Sequence, residues 1–213
     1  MVWGWVNLPP KIDLLEPSRG FSTASLARKN HMRTSHSNGS ITIRPFEPKD
    51  VQSFFSAVRS SAEDLARWMP WCHAGYSIEE AKAWLTTCQT EWTRGTSYPF
   101  LVVETKSDTV LGSVDINQIN RNHNFGNIGY WVCSSYTGKG IATAAVRMAA
   151  HFGFNEEGFT RLEIVALADN TASRRVAEKT GAKLEGIARN RLTGWGKIED
   201  AAVYSLIPAD IAG

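Results

Sequence analysis

Asn127 to Gly153 reads NIGYWVCSSYTGKGIATAAVRMAAHFG, and its hydrophobic period changes partway along. The first part, Ile128-Gly-Tyr-Trp-Val-Cys133, is aromatic and β-branched and so predicts a strand. The last part places Ile141, Ala145, Met148, Ala149 and Phe152 at helical spacing, with one stripe facing a core. Between them lies Tyr136-Thr-Gly-Lys-Gly140. A strand that passes through a glycine-bearing loop into a helix leaves backbone N–H groups unpaired at the positive end of that helix, where anions and above all phosphates bind. Gly138 and Gly140 matter because a side chain at either position would hold a bulky diphosphate away from those amides, and Lys139 adds a positive charge at the rim. Gly-x-Gly alone also describes an ordinary strand-to-helix connection. The longer Gly-x-x-x-x-Gly-Lys-Ser/Thr loop and the third glycine of a dinucleotide fingerprint are both missing.

Around this stretch, 213 residues suffice for one domain with a full core, and length alone would also admit two small ones. Charged residues at 21% and hydrophobic ones at 43% are ordinary for a globular chain, and a net charge of +2 offers no global field to nucleic acid or membrane. No apolar run approaches the roughly 20 residues that cross a bilayer. Cys72, Cys88 and Cys133 show no metal-ligand spacing, so no metal is expected, and their odd number suits a reducing, cytoplasmic compartment. Cys133, beside the loop, reads as a small buried hydrophobe or as a functional thiol. Residues 1–40 carry no convincing periodicity and, from Pro17 to Ser40, no acidic residue against Arg19, Arg28, Lys29 and Arg33. They are expected to form a disordered extension, with a working start near Met32. Their resemblance to an organelle-targeting segment is weak, because Asp13 and Glu16 precede the run.

The folded domain is expected over residues 41–213. Ile41-Thr-Ile-Arg44 alternates like a strand that Pro45 ends, and Pro48-Lys-Asp50 opens a helix with Val51, Phe54, Phe55 and Val58 on one face. Trp68 and Trp71, separated by Met69-Pro70, either plug the end of the core or wall a substrate groove. Ser77 with Glu79 and Glu80 has the pattern of a helix start, and the helix carries Ala81, Trp84, Leu85, Cys88 and Trp92 as far as Gly95. From Tyr98 the period becomes two. Strands at 100–104 and 110–117 form a hairpin, and a polar turn at 121–124 leads into the strand at 128–133, which makes an antiparallel meander. Past the first-quoted helix come a strand at 161–167, a helix capped by residues 169–173 and ended by Gly181, and closing strands at 183–187 and 198–206.

Five strings in register carry a resemblance: Ile-Gly-Tyr-Trp-Val at 128–132, Gly138-Lys-Gly-Ile-Ala142, Asp169-Asn170-x-x-Ser173-x-x-Val-Ala177, Gly181-Ala182-x-Leu-Glu-Gly186 and Val203-Tyr-Ser-Leu206. Over about 41–207 the chain resembles the GCN5-related N-acetyltransferases (GNAT), and within them the RimJ/RimL-like branch that acetylates ribosomal-protein N-termini. That resemblance implies an α/β (α+β) GNAT fold, a mixed central sheet of about seven strands with an antiparallel meander and about four flanking helices. It implies acetyl-CoA as co-substrate and acetyl transfer to a primary amine, either the N-terminal amine of a protein or a small-molecule amine. A homodimer is compatible with it, and a catalytically silent acyl-CoA-binding module is the alternative. Similar enzymes splay the central strand from its neighbour and lay the pantetheine arm in the gap, an edge that Trp131 and Val132 would supply here. The diphosphate would sit on Gly138, Lys139, Gly140, Ile141 and Ala142, with Thr143 close by. The family often has Gln or Arg three residues before the first glycine; this chain has Ser135.

Attack of an amine on a thioester sets three tasks: the amine sheds a proton, the oxyanion meets a donor, and the departing thiolate is protonated. The resemblance gives Asn170 the pantetheine and Ser173 the sulphur, although Asn and Ser there are equally expected as helix caps. The backbone N–H near Val132 is the candidate oxyanion donor. Where the resemblance to RimL-like enzymes implies a glutamate between the closing strands, this chain has Arg189-Asn-Arg-Leu192, so the base is unassigned; Glu104, Asp115 and Glu199 are conceivable substitutes. Trp68, Trp71 and Arg191 are the candidate acceptor contacts. No basic stripe interleaved with aromatics argues for nucleic acid in the folded body.

Overall fold

The alternation along the meander produces three strands joined by tight turns, and in the computed structural model, which describes residues 35–211, these form the middle of one sheet. They are β3 (Tyr98–Glu104), β4 (Val110–Asn120) and β5 (Phe125–Val132), antiparallel throughout. On one side, β2 (Ile41–Pro45) pairs with β3, and the two-residue β1 (His36–Ser37) pairs with β2. On the other side stand β6 (Arg161–Leu167), β8 (Lys197–Leu206) and β7 (Lys183–Gly194), giving the order β1-β2-β3-β4-β5-β6-β8-β7.

Because strand side chains alternate between faces, consecutive residues of β5 serve different cores. Ile128 and Tyr130 join Val114 and Ile116 under α4 (Ile141–Asn155) and α5 (Thr171–Thr180). Trp131 turns the other way, into a cluster with Phe54 of α1 (Val51–Ser60), Leu65 of α2 (Ala62–Ala66) and Leu85 and Cys88 of α3 (Ile78–Arg94). The indole of Trp131 meets Phe54 edge-on at 5.9 Å. Gly112 allows β4 and β5 to lie this close, since a Cβ there would sit 2.1 Å from the Trp131 carbonyl oxygen.

One irregularity organises the molecule. β5 and β6 run parallel and pair only at Phe125↔Arg161, Gly126↔Leu162 and Asn127↔Glu163. Beyond Asn127 they separate. β6 is held by β8 along its whole length, from Leu162↔Leu206 to Leu167↔Ala201, so a gap opens on its other side between Ile128 and Val132.

Several expectations need correction. Among the described residues the sheet has eight strands where about seven were expected, because His36–Ser37 adds a two-residue edge inside the segment expected to be an extension. The described fold therefore starts before Ile41, and residues 1–34 lie outside the described residues. Among the described residues six α-helices stand where about four were expected: α2 and the four-residue α6 (Pro208–Ile211) are too short to show a period. The closing strands run on to Gly194 and from Lys197, leaving Trp195 and Gly196 as the turn. Among the described residues, no helix is long and apolar enough to cross a membrane, and no group of three His, Cys, Asp or Glu side chains could hold a metal.

Candidate active site

The gap beside β5 opens into a cavity of about 300 Å³ bounded by Tyr130 and Val132, the loop 136–140, the first turn of α4, Asn170 just before α5 and Ser173 in its first turn. Which backbone groups face it follows from the register. The Cys133 N–H donates to the Leu111 carbonyl at 2.8 Å, and Trp131 stands opposite Ser113, so the odd-numbered residues of β5 spend their amides and carbonyls on β4. Tyr130 and Val132 point theirs into the gap. Trp131, expected to share that edge, instead has its backbone in the ladder and its side chain fully buried in the second core.

The loop ends at Gly140, which takes φ 78° as the residue before α4, and no side chain caps the helix there. The first amides of α4 consequently lack an intrahelical partner and face the cavity at the positive end of a 15-residue helix. Gly138 also has positive φ, at 76°, and a Cβ on either glycine would meet no protein atom within 4 Å. The space over both glycines is open. Ile141, Ala142 and Thr143 line it, whereas Lys139 lies over the Tyr136 ring at 5.1 Å, on the rim. Arg175 and Lys179, one turn apart on α5, face the same cavity and add two cations. Their i,i+4 spacing was readable in the sequence, yet nothing there indicated that this side of α5 faces α4.

Asn170 and Ser173 are both buried. The Asn170 side-chain oxygen accepts the Ser173 N–H at 3.1 Å, so it caps α5 while lining the cavity. Tyr130 was not singled out in the sequence. Its hydroxyl lies 3.0 Å from the Ser173 carbonyl oxygen and 3.0 Å from Ser173 Oγ. A phenol has one hydrogen; with it on the carbonyl, the Ser173 hydroxyl donates to the phenol oxygen. The two hydroxyls thus form a coupled pair at the cavity wall, and burial pushes the Tyr130 phenol well above its ordinary pKa, so it stays protonated.

The three candidate acceptor contacts do not converge. Trp68 lines this cavity under the Arg67 guanidinium, 4.6 Å from its ring. Trp71 packs against the second core, with its ring edge-on to Tyr76 at 5.9 Å. Arg191 borders a different, open cleft with Gln118, Asn127 and Glu163. Of the conceivable bases, Glu104 is exposed at the end of β3 and takes the Ser107 hydroxyl, and Glu199 sits on β8 opposite Leu192. Asp115 differs from both: it is 2% exposed, opposite Gly129, and its Oδ2 accepts the Asn117 amide at 2.8 Å. Burial pushes its carboxyl up to about 8. Cys133 is a free, buried thiol, and burial pushes it up to about 11, as befits a core residue rather than a nucleophile.

Comparison with known proteins agrees with this geometry. The profile of the acetyltransferase (GNAT) domain matches residues 40–183. The protein named “Putative ribosomal N-acetyltransferase YdaF”, from Bacillus subtilis, is 29% identical over 85% of this chain and 99% of its own. The ribosomal-protein-serine acetyltransferase of Escherichia coli is 31% identical over 54% of this chain and 63% of its own. The crystal structure of a ribosomal-protein-S5-alanine acetyltransferase from Vibrio fischeri covers 85% of this chain and all of its own with a TM-score of 0.76 at 25% identity.

Proposed function

The chain belongs to the GNAT acetyltransferases and is an N-acetyltransferase that uses acetyl-CoA as donor; from this premise we infer that its acceptor is the α-amino group of a protein N-terminus. The observation that carries the placement is the meeting, in one cavity, of an uncapped glycine-flanked helix start, the free edge of Tyr130 and Val132, and the Asn170–Ser173 turn. On this reading the diphosphate lies on the amides of residues 138–142, with Arg175 and Lys179 drawing in the remaining phosphate charge. The pantetheine arm continues the sheet along β5. The Val132 N–H points at the thioester oxygen, a donor of a kind whose loss typically costs about 3 kcal/mol of barrier. The Ser173 hydroxyl, turning its one hydrogen from the Tyr130 oxygen, donates to the departing sulphur.

An α-amine favours the reaction because its pKa is near 8, against about 10.4 for lysine, so much more of it is neutral at physiological pH. Relatives whose names specify ribosomal proteins point to the same acceptor class. Free buried cysteines suit the reducing cytoplasm as its place of action. Release of free thiol from acetyl-CoA, followed with peptides beginning in Ser or Ala, with lysine-only peptides carrying a blocked N-terminus and with small amines, tests this. Turnover confined to free N-termini is expected; turnover only on small amines overturns the acceptor class, and acetyl-CoA binding without any turnover indicates a silent module.

A further inference from the structure

The turn between the closing strands crosses the gap. Trp195 Nε1 donates to the carbonyl of Ala66, the last residue of α2, at 3.0 Å. The β7–β8 hairpin is thus joined to β6 on one side of the gap and to α2, packed on the Trp131 side of β5, on the other. The donor arm enters from the face of α4 and α5, so an acceptor reaches the thioester from the opposite face, beneath this hairpin. There an open cleft of about 730 Å³ lies over the β5–β6 seam. Asn127 and Glu163, the last pair of the seam, line it together with Gln118 and Asn122 on one side and Arg191 of the hairpin on the other. Both sides are irregular. Asn117 pairs with Asn127 but Asn120 with Phe125, so β4 carries an extra residue, and Gln118 there has φ 48°. Ala188 pairs with Ala201 but Leu192 with Glu199, so β7 bulges too, and Asn190 there has φ 52°. Bulges re-aim side chains, and a left-handed backbone at a residue other than glycine persists only where its surroundings hold it. The charges on the lining do not cancel: Glu163 takes Arg161 at 2.9 Å and Arg121 donates to Glu157 at 3.0 Å, whereas Arg191 has no carboxylate partner among the described residues.

We propose that this cleft holds the acceptor polypeptide beyond its first residues, and that Arg191 there reads a carboxylate side chain. The reach follows from strand geometry. Asn127 and Val132 stand on one strand, roughly 16 Å apart at about 3.3 Å per residue. An extended peptide advances by a similar step, so a chain with its amino nitrogen at the Val132 end brings about its fifth residue over the cleft. The amides of Gln118, Asn122 and Asn127 suit a peptide backbone, which offers donors and acceptors in turn. The single uncompensated guanidinium selects among side chains: it takes Asp or Glu through two parallel N–H···O bonds and repels Lys or Arg. A small amine or a dipeptide is too short to reach it, so the cleft separates polypeptides from metabolites by length as well as by charge.

This inference rests on the reading of the acceptor as a protein N-terminus. Thiol release by the full-length chain, measured as kcat/KM on peptides of two, four, six and eight residues that begin in Ser or Ala, tests it. With Asp at the fifth and sixth positions, kcat/KM should climb between four and six residues and then level off. At six residues, Asp at those positions should exceed Lys by about fivefold, the size expected when an exposed ion pair is exchanged for a repulsion. Arg191→Gln should bring that ratio to about one and Arg191→Glu should invert it. The comparison is made within each variant, so a loss of folded protein cannot imitate either result. Peptides that turn over with no dependence on length overturn the proposal and leave the N-terminal reading standing, as does an Asp-to-Lys ratio that neither Arg191 variant moves. Turnover of small amines alone, or of nothing, refutes the N-terminal reading, and the proposal with it.

Discussion

At the scale of single residues, the thiol end of the reaction depends on two hydroxyls that share hydrogens, Ser173 and Tyr130. Ser173→Ala should lower kcat by about a hundredfold while leaving acetyl-CoA affinity within a few-fold, because the lost group acts on charge that appears only as the C–S bond breaks. Tyr130→Phe should give a smaller loss of kcat, since it frees the Ser173 hydroxyl without removing it; thiol-release kinetics checks both. Asn170 and Ser173 were legible because a cap string leaves its mark in sequence whatever surrounds it. Tyr130 was not, since its partner is 43 positions away and only the packing of α5 over the sheet brings the two together. Asp115 illustrates the same boundary. Alternation showed that it shares a face with Ser113 and Asn117, but not that helices cover that face and strip the carboxyl of water.

At the scale of elements, the loop and the helix it starts act as one unit. Both glycines adopt a left-handed backbone that costs other residues about 1–2 kcal/mol, and open space lies over them. Gly140→Val should lower thermal stability modestly and acetyl-CoA affinity by at least tenfold, as calorimetric titration would show, because the branched side chain enters the space above the amides. Strand β2 is tied to the start of α1 by Arg44, whose guanidinium donates to Asp50 at 2.7 and 2.8 Å and also reaches Asp108. Asp50 is buried and accepts the Glu47 N–H as well, closing the start of the following helix. Asp50→Ala should cost about 3 kcal/mol in urea unfolding, the usual result of stranding one member of a buried pair. The order of strands and long helices was legible here because each long element keeps a period over many residues. The two-residue β1, α2 and α6 were not, because so few residues cannot establish one.

At the scale of the whole molecule, stability is linked to pH through a buried carboxyl. In the unfolded chain Asp115 ionises near 3.9, whereas in the fold it keeps its proton up to about 8. The folded state therefore holds a proton that the unfolded state has lost between those values, and the stability this gives is full below about pH 4 and gone above about 8. Asp115→Asn has no such loss. Thermal melts should show it gaining on the wild type as pH rises from 5 to 9; a constant difference across that range would contradict the raised carboxyl.

The short seam between β5 and β6 has a consequence for how the protein responds to its ligand. With three residue pairs closing the sheet on that side, the halves resemble two panels joined at one hinge, and the rest of the joint is left without rungs. A pantetheine amide chain lying there provides the missing rungs and becomes a temporary ninth strand. Acetyl-CoA should accordingly raise the melting temperature in a concentration-dependent way, and amide exchange at Tyr130 and Val132 should slow more than at Trp131, whose amide already belongs to the ladder.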